Sequence, residues 1–289
     1  MKNTLPKILV VLAAVLLIFA VLAGGILKIF TDKVWVEKEY VRLDIESQTG
    51  WSAHSCAYVL GAMMDYSIGR RDTLEDVPAV SGNGGAVGLR FFNESELSHM
   101  VDVRKLTRTV LTLGLVALIV GFALFTVGFI MGKKSALIAF SKAFIIALGV
   151  LVVVLIVLGI WMAIDFDSFW RMFHVVFLDL ESSTFDPAVS NMIRICPAEL
   201  FSDFIKHFAL IVGIPLAIML GLAIFIAVFL GKKPDFSGAG LFRLLSASLA
   251  VCCILSFFFS GSIVFLFVQL AAVIALAAFS IKAERGEKA

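Results

Sequence analysis

The stretch Thr109–Met131, TVLTLGLVALIVGFALFTVGFIM, holds no charged residue, and AFIIALGVLVVVLIVLGIWMAI over 143–164 repeats the pattern after a short basic interval. Crossing a hydrocarbon core takes about 20 apolar residues in a helix, so the pair predicts a transmembrane hairpin over 109–164. Working outward, Ile8–Phe30 and Phe208–Leu230 are runs of the same kind. The first exceeds the usual signal-peptide core of about 7 to 15 apolar residues, which predicts an uncleaved helix over 1–30. The last apolar block, Leu244–Ile281, is too long for one helix, and Ser260-Gly261-Ser262 at its middle divides it into a second hairpin. About six spans result. The composition agrees: 61% of the 289 residues are hydrophobic and 16% charged, where a soluble domain is roughly half apolar and a quarter charged. A net charge of +2 offers no basic footprint for nucleic acid.

Charge sorting predicts the orientation. The N-terminus carries +2, the 132–142 loop +3, the 231–243 loop +2 and the tail +1, whereas 31–108 is net −3 and 165–207 net −4. Short basic loops stay cytoplasmic, so both termini are expected inside and the two long acidic segments outside the cytoplasm. The resulting division is a first helix over 1–30, an extracytoplasmic cap over 31–108, the hairpin over 109–164, a second outer segment over 165–207 and a fourth helix over 208–230. A cytoplasmic loop, the C-terminal hairpin and the tail fill 231–289. The expected fold is an all-α polytopic bundle, a four-span core plus that hairpin, with a small mixed α/β cap.

The cap opens on Val34–Ile45, where β-branched and aromatic residues partly alternate with charges, as in a half-buried strand. His54–Ile68 reads as a short helix, and Ser81-Gly82-Asn83-Gly84-Gly85 as a turn. Asn93 with Glu96 three residues on is a capping box, which predicts a helix that runs directly into the 109–131 span. His99 follows Glu96 by one turn and precedes Asp102 by one turn, on one face. In the second segment, Trp161–Phe177 reads as a helical extension of the third span. It places Asp167, Arg171 and His174 on one face and Phe166, Phe169, Trp170, Phe173 and Phe177 around the rest, a composition suited to the lipid interface.

All four histidines, His54, His99, His174 and His207, lie in or beside these two segments. Histidine is the side chain whose proton affinity sits nearest neutral pH, so two polar stripes that each carry a histidine at one membrane face point to acid/base work by His99 and His174. The competing reading is an interfacial, hydrogen-bonding histidine, and it fits His54 and His207 better. A mixed metal site of His54, Cys56, His99 and His174 matches no zinc spacing, and no metal or other cofactor is expected. Cys56 and Cys196 can pair only if the fold brings them close. There is no Gly-x-Ser-x-Gly elbow, His-Glu-x-x-His or P-loop. The spans hold almost no ionisable residue, which disfavours a transporter.

The segments Phe92-Asn93-Glu94-Ser95-Glu96-Leu97-Ser98-His99-Met100-Val101-Asp102-Val103 and Phe173-His174-Val175-Val176-Phe177, with Phe185-Asp186-Pro187 and Pro197-Ala198-Glu199-Leu200-Phe201, resemble the bacterial lipoprotein intramolecular transacylase family, Lit. The likeness covers about residues 1 to 231. It implies transfer of an acyl chain from the glyceryl ester (sn-2) of a diacylglyceryl-modified lipoprotein to the α-amino group of its N-terminal cysteine, giving a lyso-form. It also implies that His99 and His174 are the catalytic pair and that lipoprotein and membrane lipids are the partners. Thr184 stands where a large aromatic is expected, and the final hairpin lies beyond the four-span core. Within this chemistry Asp102 can orient His99, Arg171 or a backbone amide can hold the oxyanion, and Glu96 is a supporting, helix-capping residue. The alternatives are a membrane hydrolase or metal-dependent enzyme using the same pair, and a non-enzymatic lipoprotein-binding or sorting protein.

Overall fold

A computed structural model describes residues 4–78, 90–178, 185–186 and 189–232. The expected hairpin over 244–281, the Ser81–Gly85 turn, Thr184 and Pro187 lie outside them. The described residues form α1 (Leu5–Thr31), α2 (Lys33–Arg42), α3 (Ile45–Thr49), α4 (Ala53–Ile68), α5 (Glu94–Ile164), α6 (Phe166–Phe177), α7 (Asn191–Ile195) and α8 (Ala198–Lys232). Three of these, α1, α5 and α8, are long and apolar enough to cross a membrane.

The expected strand over 34–45 is a helix. Asp32 accepts the backbone N–H of Trp35 and caps α2, and α2 buries Val36, Glu39 and Tyr40 while Val34 and Val41 stay exposed. That spacing of three and four is a helical face. The partial alternation of valines and charges imitated a strand, but the face that packs on α4 has the longer period. The mixed α/β cap is therefore helical over these residues. The helix expected over 54–68 is present as α4. Ser52 accepts the N–H of Ser55 at its start, and Gly69 at φ +84° ends it.

Helix α5 begins where the capping box places it: Asn93 accepts the N–H of Glu96, and Glu96 accepts the N–H of Asn93. The loop expected over 132–142 is instead a break at one residue, Lys133, with φ 45° and ψ −125°. Lys134 and Lys142 sit on helix, and Lys133 is the break itself. Phe129, Leu137, Ile226 and Leu230 bury one another across that break. A second break replaces the continuous helix expected over Trp161–Phe177. Asp165, at φ −148° and ψ 83°, ends α5, and its carboxylate accepts the N–H of Ser168 to cap α6.

The chain divides into two compact units. Of the described residues, 4–22, 115–153 and 210–232 make one. There α1 and α5 run antiparallel in backbone contact: a Cβ on Gly128 would stand 2.7 Å from Val10 Cγ1, and one on Gly121 would stand 3.1 Å from Leu17 Cγ. Small residues permit such approach between apolar helices. The described residues within 23–114 and 154–209 make the other unit, and it contains all four histidines.

Candidate active site

The site starts from a buried carboxylate. Glu96 is fully buried in the first turn of α5, and beyond the capping bond it accepts the Ser190 hydroxyl at 2.6 Å and the Met192 backbone N–H at 2.8 Å, both through Oε1. Ser190 in turn accepts the N–H of Ile193 and so caps α7. Asn191 donates from Nδ2 to the Phe91 carbonyl at 2.9 Å. The start of α5 is thereby tied to the start of α7. A carboxylate removed from water is stable only when its oxygens are hydrogen-bonded, and these donors meet that need.

One turn along α5 from Glu96 stands His99, 7% exposed, and α6 brings His174, 6% exposed, to it. The two imidazoles are roughly stacked with centroids 5.9 Å apart. Because a carbonyl can only accept, the 2.7 Å contact between His174 Nδ1 and the Trp170 oxygen assigns the ring proton to Nδ1. In the neutral ring the lone pair is then on Nε2. His99 Nδ1 is buried and has no partner among the described residues. Burial, reinforced by the neighbouring His174 and opposed by Asp102, pushes the His99 pKa down from 6.5 to about 4. Aromatic rings enclose the pair: Phe185 meets His99 edge-on at 5.3 Å, Trp170 meets His174 at 4.8 Å, and Phe173 meets it at 5.6 Å.

The predicted supporting residues divide. Glu96 is part of the framework, and Asp102 is half-buried and acts on His99 electrostatically. Arg171 and Asp167 are exposed, so the polar stripe expected on α6 does not follow His174 inward. His54 is exposed and meets Glu37 at 2.9 Å, while His207 stacks on Trp35 at 4.3 Å and reaches Asp32. Among the described residues no three His, Cys, Asp or Glu side chains converge on one point, so the mixed set with His54 and Cys56 is not assembled. Cys56 and Cys196 are both buried and free, and burial raises their thiol pKa values to about 11 and about 12.

Ser190, Asn191 and the Trp170 carbonyl are site components that sequence reasoning missed. Ser190 before Asn191–Ile195 has the character of a helix cap, which was a readable signal. Its second partner, 94 residues away, was not.

The family model described as lipoprotein intramolecular transacylase Lit matches residues 11–201, a stretch containing both imidazoles and the whole Glu96 framework. The chain belongs to that family. It is accordingly an acyltransferase with apolar, membrane-type helices. Among solved structures, the membrane integral transacylase Lit from Bacillus cereus matches with a TM-score of 0.58 and 17% identity, covering 79% of this chain and 96% of that one. A histidine-to-arginine variant of that protein matches at 0.56 and 17%, covering 79% and 92%. At such identity the likeness is one of fold. No curated protein matches the chain.

Proposed function

We propose that His174 and His99 catalyse an acyl shift within a diacylglyceryl-modified lipoprotein, at the outer face of the cell membrane. The α-amino nitrogen of the N-terminal cysteine attacks the sn-2 ester carbonyl. His174 Nε2 takes the amine proton, the bond from the carbonyl carbon to the glyceryl oxygen breaks, and His174 returns that proton to the oxygen, which leaves as a free hydroxyl. The product is an amide-linked lyso-lipoprotein. The observation that carries this reading is the His174 Nδ1 bond to the Trp170 carbonyl, 2.7 Å long, because it leaves Nε2 as an acceptor beside a second, buried imidazole. His99, held neutral by burial, offers a ring N–H to the oxygen that gains charge in the tetrahedral step. That role falls to His99 and not to Arg171, which is exposed. Nucleophile and ester belong to one molecule, so positioning between the enclosing aromatic rings supplies much of the acceleration.

The proposed topology has the segments 31–108 and 165–207 outside, both termini inside, a core of four crossings formed by α1, the two arms of α5 and α8, and a further hairpin over 244–281. The opposite charges of the long and short segments support it. Mass spectrometry of the N-terminal lipopeptide of a co-expressed model lipoprotein is the test. Wild type should move the chain to the amine, and His99→Ala and His174→Ala should each slow transfer by about 10²-fold or more. Full transfer by either variant removes that residue from the mechanism, and an acyl chain left on the sn-2 oxygen by wild type removes the activity.

A further inference from the structure

We propose that Arg70, Arg104, Lys105 and Arg108 form a docking site for the phosphate of an anionic phospholipid headgroup at the surface of the leaflet that holds the acyl-transfer site. Arg104, Lys105 and Arg108 occupy the last five residues of α5 before its apolar run begins at Thr109. The turn after α4 is folded onto them. Arg104 donates to the Arg71 carbonyl at 2.9 Å and lies over the Tyr66 ring at 4.5 Å. The Arg108 guanidinium lies 3.6 Å from where a Cβ on Gly69 would be. Arg70 therefore joins the same patch, and Arg70, Lys105 and Arg108 are all exposed.

The acidic groups nearby are largely engaged or peripheral. Asp76 is held by Arg71 at 2.6 Å and Asp65 pairs with Lys33. Asp72 reaches Arg104 only at 3.9 Å, and Asp102 is half-buried one turn back. A net positive surface remains on a segment whose overall charge is −3.

The patch also sits at a definable level. Ala23 faces Gly114 so closely that a Cβ on the glycine would stand 2.3 Å from the alanine Cβ. Counting five residues on along α1 reaches Lys28, near the end of its apolar run, and six back along α5 reaches Arg108. At about 1.5 Å per residue these cations share one plane, beyond which Leu113 and Val116 are exposed apolar surface. Exposed guanidinium and ammonium groups at the edge of hydrocarbon attract lipid phosphates through their charge. Which leaflet this is rests on the orientation proposed above; the phosphate chemistry does not.

The test is native mass spectrometry of the purified full chain with phosphatidylglycerol or phosphatidylcholine of identical acyl chains. Wild type should retain phosphatidylglycerol at least tenfold better, with the preference shrinking as salt rises. The Arg70→Gln/Lys105→Gln/Arg108→Gln variant should lose about fivefold per charge, whereas Arg70→Lys/Arg108→Lys and the exposed Lys38→Gln should keep the preference. Equal retention of the two lipids by wild type, or an unchanged preference in the triple variant at unchanged melting temperature, overturns the site. So does displacement of phosphatidylglycerol by a soluble acidic peptide, which would mark a protein contact instead. Labelling Lys105→Cys in intact cells with an impermeant maleimide checks the leaflet independently. Reaction only after permeabilisation refutes the orientation and leaves the lipid contact standing.

Discussion

The protonation of His99 is the most exposed consequence of the geometry. With only four histidines in the chain, histidine-selective NMR labelling resolves each ring, and the resonance that vanishes in His99→Asn identifies this one. Burial is the larger cause and His174 the smaller in lowering its pKa from 6.5 to about 4. At pH 6 roughly one His99 in a hundred should then carry a second proton. The sign of the linked stability follows. Between pH 6.5 and about 4 the unfolded chain binds a proton that the folded chain refuses, so this contribution is intact above 6.5 and is lost as pH falls toward 4. The difference between those two values, at about 1.4 kcal/mol per pH unit, amounts to roughly 3 kcal/mol. His99→Asn should flatten that part of the melting-temperature profile. His174→Leu should raise the His99 pKa only part of the way. A wild-type His99 that titrates near 6.5 would refute the assignment of a buried neutral ring, and full recovery in His174→Leu would refute burial as the main cause.

Glu96→Ala strips the acceptor from the Ser190 hydroxyl and the Met192 and Asn93 N–H groups. At about 1–3 kcal/mol per stranded buried donor, thermal unfolding should show a loss of several kcal/mol, with Glu96→Gln intermediate. Lys133→Gly relieves a positive φ of 45° paired with ψ −125°, a conformation costing about 1–3 kcal/mol outside glycine, so it should raise the melting temperature. Gly114→Ala places a Cβ 2.3 Å from that of Ala23 and should destabilise by about 1–3 kcal/mol. Ala23→Gly in the same chain should restore most of that loss.

What was legible in the sequence, and what was not, divides by range. The apolar runs and the Asn93–Glu96 capping box are local signals, and the start of α5 falls where the box puts it. His99 and His174 were each placed on a helix by their own neighbours, although the proximity of their rings is a tertiary fact. The strand expected over 34–45 failed because its valines alternate with charges only partly, and packing against α4 decided the period. Gly132 and the basic run around Lys133 mark an interruption of the apolar run, but that it narrows to one residue, and that a second break falls at Asp165, depends on packing beyond the local sequence. Ser190 was invisible as a site component because hydrogen bonding to Glu96 spans 94 residues.

The pairing itself constrains the chemistry further than either histidine does. Two rings 5.9 Å apart in a site walled by aromatic side chains cannot both hold a positive charge cheaply, since like charges in such surroundings disfavour each other. In the proposed mechanism, once His174 accepts the amine proton, His99 is held neutral more firmly than before, and it becomes a better-defined N–H donor as the ester oxygen gains charge. The Trp170 carbonyl contributes on the other side, because it stabilises the same His174 N–H that becomes more acidic when Nε2 is protonated. A base that charges and a partner that thereby stays neutral need no third ionisable group in the site, and the exposure of Arg171 is consistent with that division.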